Sequence, residues 1–282
     1  MKKLLITIMC SACYFISSAQ RSEPVTTWNF EDRVAASIKE VNATVNGSFS
    51  VTGHTASEAT VELFISGNSP DIRSRQWSDD EIKQELERSF TIIVKVEGGQ
   101  LLVEANPKTN RPQFSLSIKI SVPEQTNNNL SSTGGSIRIS DLISNVSATA
   151  INGNLTANNI IGEVRVEATN GNMKLDGISG NVDAKVVLGY QGVNSNNDAH
   201  MTVSMDLVKD YVKLSNNTGN AMLTLPSNIG YNLNIKADNV TTTGLKDFKG
   251  NNERNKLLEG AIGNGGPLVE INASQQANLT FK

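Results

Sequence analysis

Glycines recur every 18 residues in the middle of this chain, at Gly135, Gly153, Gly171 and Gly189. Two apolar columns keep the same spacing, and their members are Leu142, Ile160 and Ile178, and Val146, Val164 and Val182. A fixed period indicates stacked copies of one structural unit. Each copy has too few apolar residues to close a core alone, so we expect neighbouring copies to align these columns into a continuous inward ladder.

Apolar and polar residues alternate within each copy. In one copy, Val164, Val166 and Ala168 are apolar, whereas Arg165 and Glu167 are charged. Period two is the pattern of a strand with one buried face. The polar positions change charge freely between copies, which is typical of a solvated face. The sequence therefore predicts strands whose valines point inward and whose charged residues point outward.

Asn-Gly-Asn segments at 152–154 and 170–172 separate the strands of neighbouring copies. Gly and Asn tolerate a positive φ, which suits turns. The residues expected at the turns are Gly135, Gly153, Gly171, Gly189, Asn152 and Asn170. If each copy is one coil, successive strands pair in parallel about 4.8 Å apart. The prediction is an all-β fold, a right-handed parallel β-helix (β-solenoid) with coils of about 18 residues; a sandwich of hairpins is the alternative, because Asn-Gly is also a hairpin signal.

One short helix is predicted before the repeats, at 78–90. Ser78 can cap its first turn with Glu81 three residues later, and Ile82, Leu86 and Phe90 fall on one face. Capping accounts for the acidic residues 79–81 without a bound cation. We expect this helix to be an insertion packed beside the first coils.

Three segments are predicted along the chain. Residues 1–19 form a secretory signal peptide, 20–123 an N-terminal β region that includes the helix, and 124–282 the regular repeats with C-terminal capping strands. We expect the asparagine-rich residues 125–135 to be a loop, 244–266 a longer excursion, and 268–281 the cap of the stack. Residues 20–282 are expected to form one continuous domain.

The first residues predict export. Lys2 and Lys3 precede an apolar run over 4–16 and small residues at 17–19, which is the pattern of a signal peptide cleaved before Gln20. Both cysteines lie inside this segment. Lipidation of Cys13 is the less favoured alternative, because Cys10 stands where a lipobox has an aliphatic residue. Beyond this segment, we find no apolar run in the sequence that is long enough to span a bilayer.

Composition argues against several functions. Acidic residues outnumber basic ones by 28 to 25 and the basic ones are not clustered, so a nucleic acid partner is not expected. His54 and His200 are the only histidines and lack metal-ligand spacing, and no G-x-S-x-G segment is present. We expect no catalytic residues, no metal site and no cofactor.

The chain resembles a family of exported bacterial proteins known as "putative adhesins". The motifs that carry the resemblance are Asn152-Gly-Asn-Leu, the units that begin at Gly162 and Gly180, and the closing Gly263-Asn-Gly-Gly-Pro segment. They extend over most of residues 40–282. The resemblance implies a right-handed β-helix domain of unknown function and supplies no catalytic or ligand-binding residues.

Two function classes follow from a stiff stack that displays variable polar side chains. The first is a non-enzymatic adhesin at the cell surface, binding glycan or protein through its outward faces. The second is a periplasmic scaffold or sensing partner. A carbohydrate-active β-helix enzyme is a third class, supported by fold analogy alone.

Overall fold

The computed structural model describes residues 28–34, 38–69, 71–72, 77–188 and 199–282. The predicted signal peptide, Cys13 and the turn residue Gly189 lie outside these ranges. The described residues form an all-β fold in which one long sheet of 20 strands holds the core and a short helix packs beside it.

The elements up to the regular repeats are β1 (Trp28–Val34), β2 (Glu40–Val45), β3 (Ser48–His54), β4 (Ala59–Gly67), α1 (Asp79–Ser89), β5 (Phe90–Glu97), β6 (Gln100–Pro107), β7 (Phe114–Pro123), β8 (Asn127–Thr133) and β9 (Ile137–Leu142). The next four are β10 (Val146–Ile151), β11 (Leu155–Thr169), β12 (Met173–Val187) and β13 (Met201–Asn216). The last seven are β14 (Ala221–Leu225), β15 (Tyr231–Lys236), β16 (Asn239–Thr243), β17 (Phe248–Glu253), β18 (Leu257–Ile262), β19 (Leu268–Ala273) and β20 (Gln276–Phe281).

The strands are arranged in two columns. The first column runs β5, β6, β2, β8, β10, then the C-terminal halves of β11, β12 and β13, then β19, β15, β18 and β17. The second runs β1, β4, β7, β3, β9, then the N-terminal halves of β11, β12 and β13, then β14, β20 and β16. We call two consecutive strands, one from each column, a rung.

Pairing in the middle of the stack is parallel and follows the 18-residue spacing. Val164 pairs with Val146 on one side and with Val182 on the other, and Leu155 lies between Ile137 and Met173. Such pairing places equivalent side chains in register about 4.8 Å apart, so the apolar columns form continuous rows. The register changes after β12, because Met173 pairs with Met201, 28 residues later.

Residues 127–133 form the strand β8, so the prediction of a loop over 125–135 is wrong. β8 extends the repeat one rung earlier, since Asn128 pairs with Val146. Its buried side chains include polar ones, which hid the strand pattern. They are stabilised by backbone carbonyls: Asn128 Nδ2 donates to Thr126 O at 2.6 Å, and Ser132 Oγ donates to Gly47 O at 2.7 Å.

The rungs do not stack in chain order. The β2–β3 rung lies between β6–β7 and β8–β9, and the β19–β20 rung lies between β13–β14 and β15–β16. Residues 268–281 therefore do not cap the stack, contrary to expectation, because both of their strands are paired on both sides. The predicted excursion at 244–266 instead contributes β17 and β18, which add to β15 as antiparallel strands.

Antiparallel strands end the first column on both sides. β5 pairs with β6 at one end, and at the other β17 is the outermost described strand and pairs with β18. The residues of β17 are almost all polar and exposed. A polar outer strand discourages further strand addition, which is how natural sheets protect their edges.

Helix α1 begins where the sequence predicts it. Ser78 Oγ accepts a hydrogen bond from the Glu81 backbone N–H, and the Glu81 carboxylate accepts one from the Ser78 backbone N–H, which completes a capping box. Ile82 and Leu86 are buried against the sheet. The helix ends at Ser89 because Phe90 adopts an extended conformation and starts β5.

Candidate functional site

The residues predicted for the inward ladder are all buried. Leu142, Ile160 and Ile178 are fully inaccessible, and Val146, Val164 and Val182 are at most 2% exposed. Burying a valine or leucine side chain contributes on the order of 1.5–3 kcal/mol. These residues stabilise the sheet and are not accessible to a ligand.

The predicted turn residues that the structure describes, from Gly135 to Gly171, lie at one corner between the columns. Asn152 and Asn170 both have a φ of 56°, and Asn170 Nδ2 donates to Asn152 Oδ1 at 2.8 Å. Gly135, Gly153 and Gly171 are stacked so closely that a Cβ on Gly153 would lie 2.0 Å from Gly135 O. At this corner the turn residues of neighbouring rungs stack on one another, and the side chains of Asn152 and Asn170 are hydrogen-bonded to each other.

The outward residues of β10–β13 in the first column form what we call the charged face. Arg165 pairs in register with Asp183, Asp183 with Lys213, and Lys213 with Glu270 of β19. In the neighbouring row, Lys185 Nζ lies 3.5 Å from Glu167 Oε2. Each exposed pair contributes little to stability, typically about 0–1 kcal/mol. The face therefore presents alternating exposed charges that pair only weakly with one another.

A hydrogen-bond network lies at the edge of the charged face. Glu163 accepts from the Tyr211 hydroxyl and forms a 2.6 Å ion pair with Arg165. Asn181 Oδ1 accepts from the backbone N–H groups of Asp210 and Tyr211, which holds this part of β13 beside β12. The hydrogen bond to Glu163, with burial and the negative charge of Glu163, raises the pKa of Tyr211 above its ordinary value, although Arg165 opposes the shift.

Exposed aliphatic residues border this network. Ile143, Ile161 and Leu207 are 45%, 54% and 55% exposed. Ile143 and Ile161 occupy equivalent positions in adjacent rungs at the second corner between the columns. Leu207 occupies the same position two rungs beyond Ile161, and Ser179 lies between them. We call these three residues the aliphatic ridge. A row of exposed aliphatic side chains rimmed by polar groups is typical of an interaction surface.

Sequence reasoning missed both the ridge and the network. Ile143 and Ile161 are 18 residues apart and stand out in an otherwise polar part of the repeat, which was a usable signal. Leu207 and Tyr211 carry no comparable signal in the sequence. Residues are inserted in β13, so that Ser179 pairs with Leu207 and Val182 with Val212, and the 18-residue period fails there.

The histidines and acidic residues of the described ranges form no metal-binding cluster. These ranges contain no group of three or more His, Cys, Asp or Glu side chains that could hold a metal ion. His54 ends β3 and is half-buried, whereas His200 is exposed and precedes β13. No helix in this part of the chain is both long and apolar enough to cross a membrane.

No protein-family model and no curated protein matches this sequence. Solved structures with a distant likeness include a "putative cell adhesion protein" from Clostridium sporogenes, with 14% identity, coverage of 89% of this chain and 99% of that chain, and a TM-score of 0.32. A "putative adhesin" from Bacteroides fragilis has 12% identity, coverage of 94% and 100%, and a TM-score of 0.36. A "putative lipid binding protein" from Parabacteroides distasonis has 12% identity, coverage of 90% and 97%, and a TM-score of 0.37. At this level of similarity the likeness assigns no function to the chain.

Proposed function

We propose that this chain is a non-enzymatic, exported protein of the bacterial cell surface that acts as an adhesin. We further propose that its two columns are the walls of a right-handed parallel β-helix with coils of about 18 residues. The parallel pairing of β8 to β12 at that spacing supports the coil, and right-handed crossover is the general preference of parallel strands. The charged amino-terminal start and apolar run of the sequence support export.

The aliphatic ridge beside the charged face is the observation that carries the adhesin proposal. Ile143, Ile161 and Leu207 would bury their side chains on binding, and the neighbouring alternation of Arg165, Asp183 and Lys213 would select a complementary surface. Aliphatic groups next to paired charges suit a protein partner better than a sugar, which is usually bound on an aromatic ring. The partner class proposed for this face is therefore protein.

Protease treatment of intact producing cells tests the location. We expect an added protease to cut the mature chain while a periplasmic marker stays intact, and digestion of lysed cells controls for intrinsic resistance. Protection in intact cells with cleavage in lysed cells would contradict a surface location and favour the periplasmic scaffold.

An adhesion assay tests the face itself. Beads coated with the mature chain are incubated with cultured epithelial cells and with producing-strain cells that lack the gene. We expect wild-type beads to bind one cell type and Ile161→Ser/Leu207→Ser beads to lose most of that binding, with Arg138→Ser on the other column as the matched control. Trypsin treatment of the target cells should abolish binding, whereas periodate oxidation of their glycans should not.

Equal adhesion of the ridge variant and the wild type would contradict the proposed face. Loss of adhesion after periodate but not after trypsin would replace the protein partner with a glycan.

A further inference from the structure

A cavity of about 320 Å³ opens between α1 and the start of β7, far along the chain from the aliphatic ridge. Its described lining residues are Trp77, Glu81, Gln84, Glu85, Arg88 and Gln113. One aromatic ring thus stands against two carboxylates, two amides and a guanidinium. Small-molecule sites usually range over roughly 300–1,000 Å³, so the cavity has room for a small ligand.

Trp77 is held firmly in this cavity. Its Nε1–H donates to Ile72 O at 3.0 Å, and its ring packs edge-on against Phe114 with the centroids 5.0 Å apart. Phe114 is fully buried at the start of β7, so it restrains the indole ring that packs against it. A ring fixed on two sides is already ordered, so a ligand that stacks on it does not have to immobilise it.

The charged groups of the lining are already compensated. Glu81 Oε2 accepts from the backbone N–H of Ser78 at 2.9 Å and from its Oγ at 3.1 Å. Glu85 is buried, accepts from Ser89 Oγ at 2.6 Å and pairs with Arg88 at 2.6 Å. A cation would have to compete with these partners for the carboxylates, and the charge of Arg88 is already paired with that of Glu85. The electrostatics favour a neutral ligand.

The amides supply the hydrogen bonds that a neutral ligand needs. Gln84 lies on the same helix face as Glu81 and Arg88, three and four residues away, and Gln113 faces it from the segment before β7. Among the described residues, neither amide side chain has a hydrogen-bond partner. An amide both donates and accepts, as a pair of neighbouring hydroxyl groups also does.

We propose that this cavity is a second binding site, independent of the ridge, and that it binds a neutral sugar ring. The apolar face of the sugar stacks on Trp77, and its hydroxyl groups bond to the amides of Gln84 and Gln113. Helix α1 positions Gln84, which gives the helix a role besides packing.

Tryptophan fluorescence tests the site in the mature chain. The chain has two tryptophans, so in a Trp28→Phe background the emission reports on Trp77. The probes are D-glucose, D-galactose, D-mannose and N-acetyl-D-glucosamine, with D-glucuronate as the charged comparison. We expect at least one neutral sugar to change the emission saturably in the millimolar range. Gln84→Ala and Gln113→Ala should each weaken that binding about fivefold, the usual loss for one hydrogen bond.

Lys83→Ala is the matched control, because Lys83 is exposed on α1 and does not line the cavity. It should leave the sugar affinity unchanged. No saturable change with any of the four neutral sugars would overturn the proposal. So would equal binding by the wild type and the two glutamine variants, or saturable binding of D-glucuronate alone. Since no ridge residue is altered, each outcome is independent of the adhesion assay.

Discussion

The hydroxyl of Tyr211 donates a hydrogen bond to Oε1 of Glu163, 48 residues earlier in the chain. The two residues lie in β13 and β11, on either side of Asn181 in β12, so this bond links two strands that are not neighbours. It spans the point at which the 18-residue spacing is lost. The inserted residues of β13 are thus fastened to the regular part of the stack by a side chain that the repeat does not contain.

Tyr211→Phe tests the strength of this link. Because the bond has a charged acceptor but is partly exposed, we expect the free energy of unfolding to fall by about 1 kcal/mol. Urea denaturation of Tyr211→Phe, Glu163→Ala and the double variant would give the coupling energy. We expect a coupling of roughly 1 kcal/mol, and additive effects of the two changes would mean that the bond contributes nothing to stability.

Val164→Asp and Arg165→Asp test the inward and outward assignment of adjacent residues. Val164 is fully buried between Val146 and Val182, so an aspartate there would be an unpaired buried charge and should cost more than about 4 kcal/mol. Arg165 is exposed, and its replacement should cost less than about 1 kcal/mol. The amount of folded protein recovered and the denaturation midpoint provide the measurement. Similar tolerance of both variants would contradict the assignment.

The regular part of the stack could be predicted from sequence because equivalent residues are the same kind in each copy. Val146, Val164 and Val182 are paired at the spacing that the sequence displays. Helix α1 was predictable for a different reason, since its signal is local: Ser78 and Glu81 are close in sequence and bind each other.

The order of the rungs could not be predicted. A period shows which segments are alike, but it does not say that β2 is placed between β6 and β8. β8 was missed because Asn128 and Ser132 are polar, and only the folded chain supplies the carbonyl groups that stabilise them. The cavity was missed as well, because Gln113 reaches it from a segment 25 or more residues beyond the helix positions that line it.

Gly153→Ala tests the close stacking of the corner glycines. A Cβ at this position would lie 2.0 Å from the carbonyl oxygen of Gly135, and that backbone must move to accept it. We expect a loss of about 1–3 kcal/mol in the free energy of unfolding, measured by urea denaturation. Gly98→Asn is the control, because a Cβ at Gly98 meets nothing within 4 Å and asparagine tolerates the φ of 58° found there. Equal losses of unfolding free energy in the two variants would show that the close approach of Gly153 to the Gly135 carbonyl does not determine the effect.

Tyr231 should make the stability depend on alkaline pH. This residue is fully buried, and its hydroxyl donates to Pro226 O at 2.8 Å. Burial raises its pKa from 10.0 to about 12. Because the folded-state pKa is the higher one, its contribution to stability is fully present below pH 10 and is lost as the pH rises towards 12.

Between these two values the free energy of unfolding should fall by about 1.4 kcal/mol per pH unit on account of Tyr231 alone. Lysine residues also titrate in this range, so the informative quantity is the difference between the wild type and Tyr231→Phe, measured by urea denaturation at each pH. We expect Tyr231→Phe to be about 1 kcal/mol less stable at pH 8, where it lacks the bond to Pro226 O, and to lose less stability than the wild type between pH 10 and 12. Parallel stability curves for the two proteins over that interval would contradict the raised pKa, because the neutral phenylalanine cannot contribute a proton equilibrium.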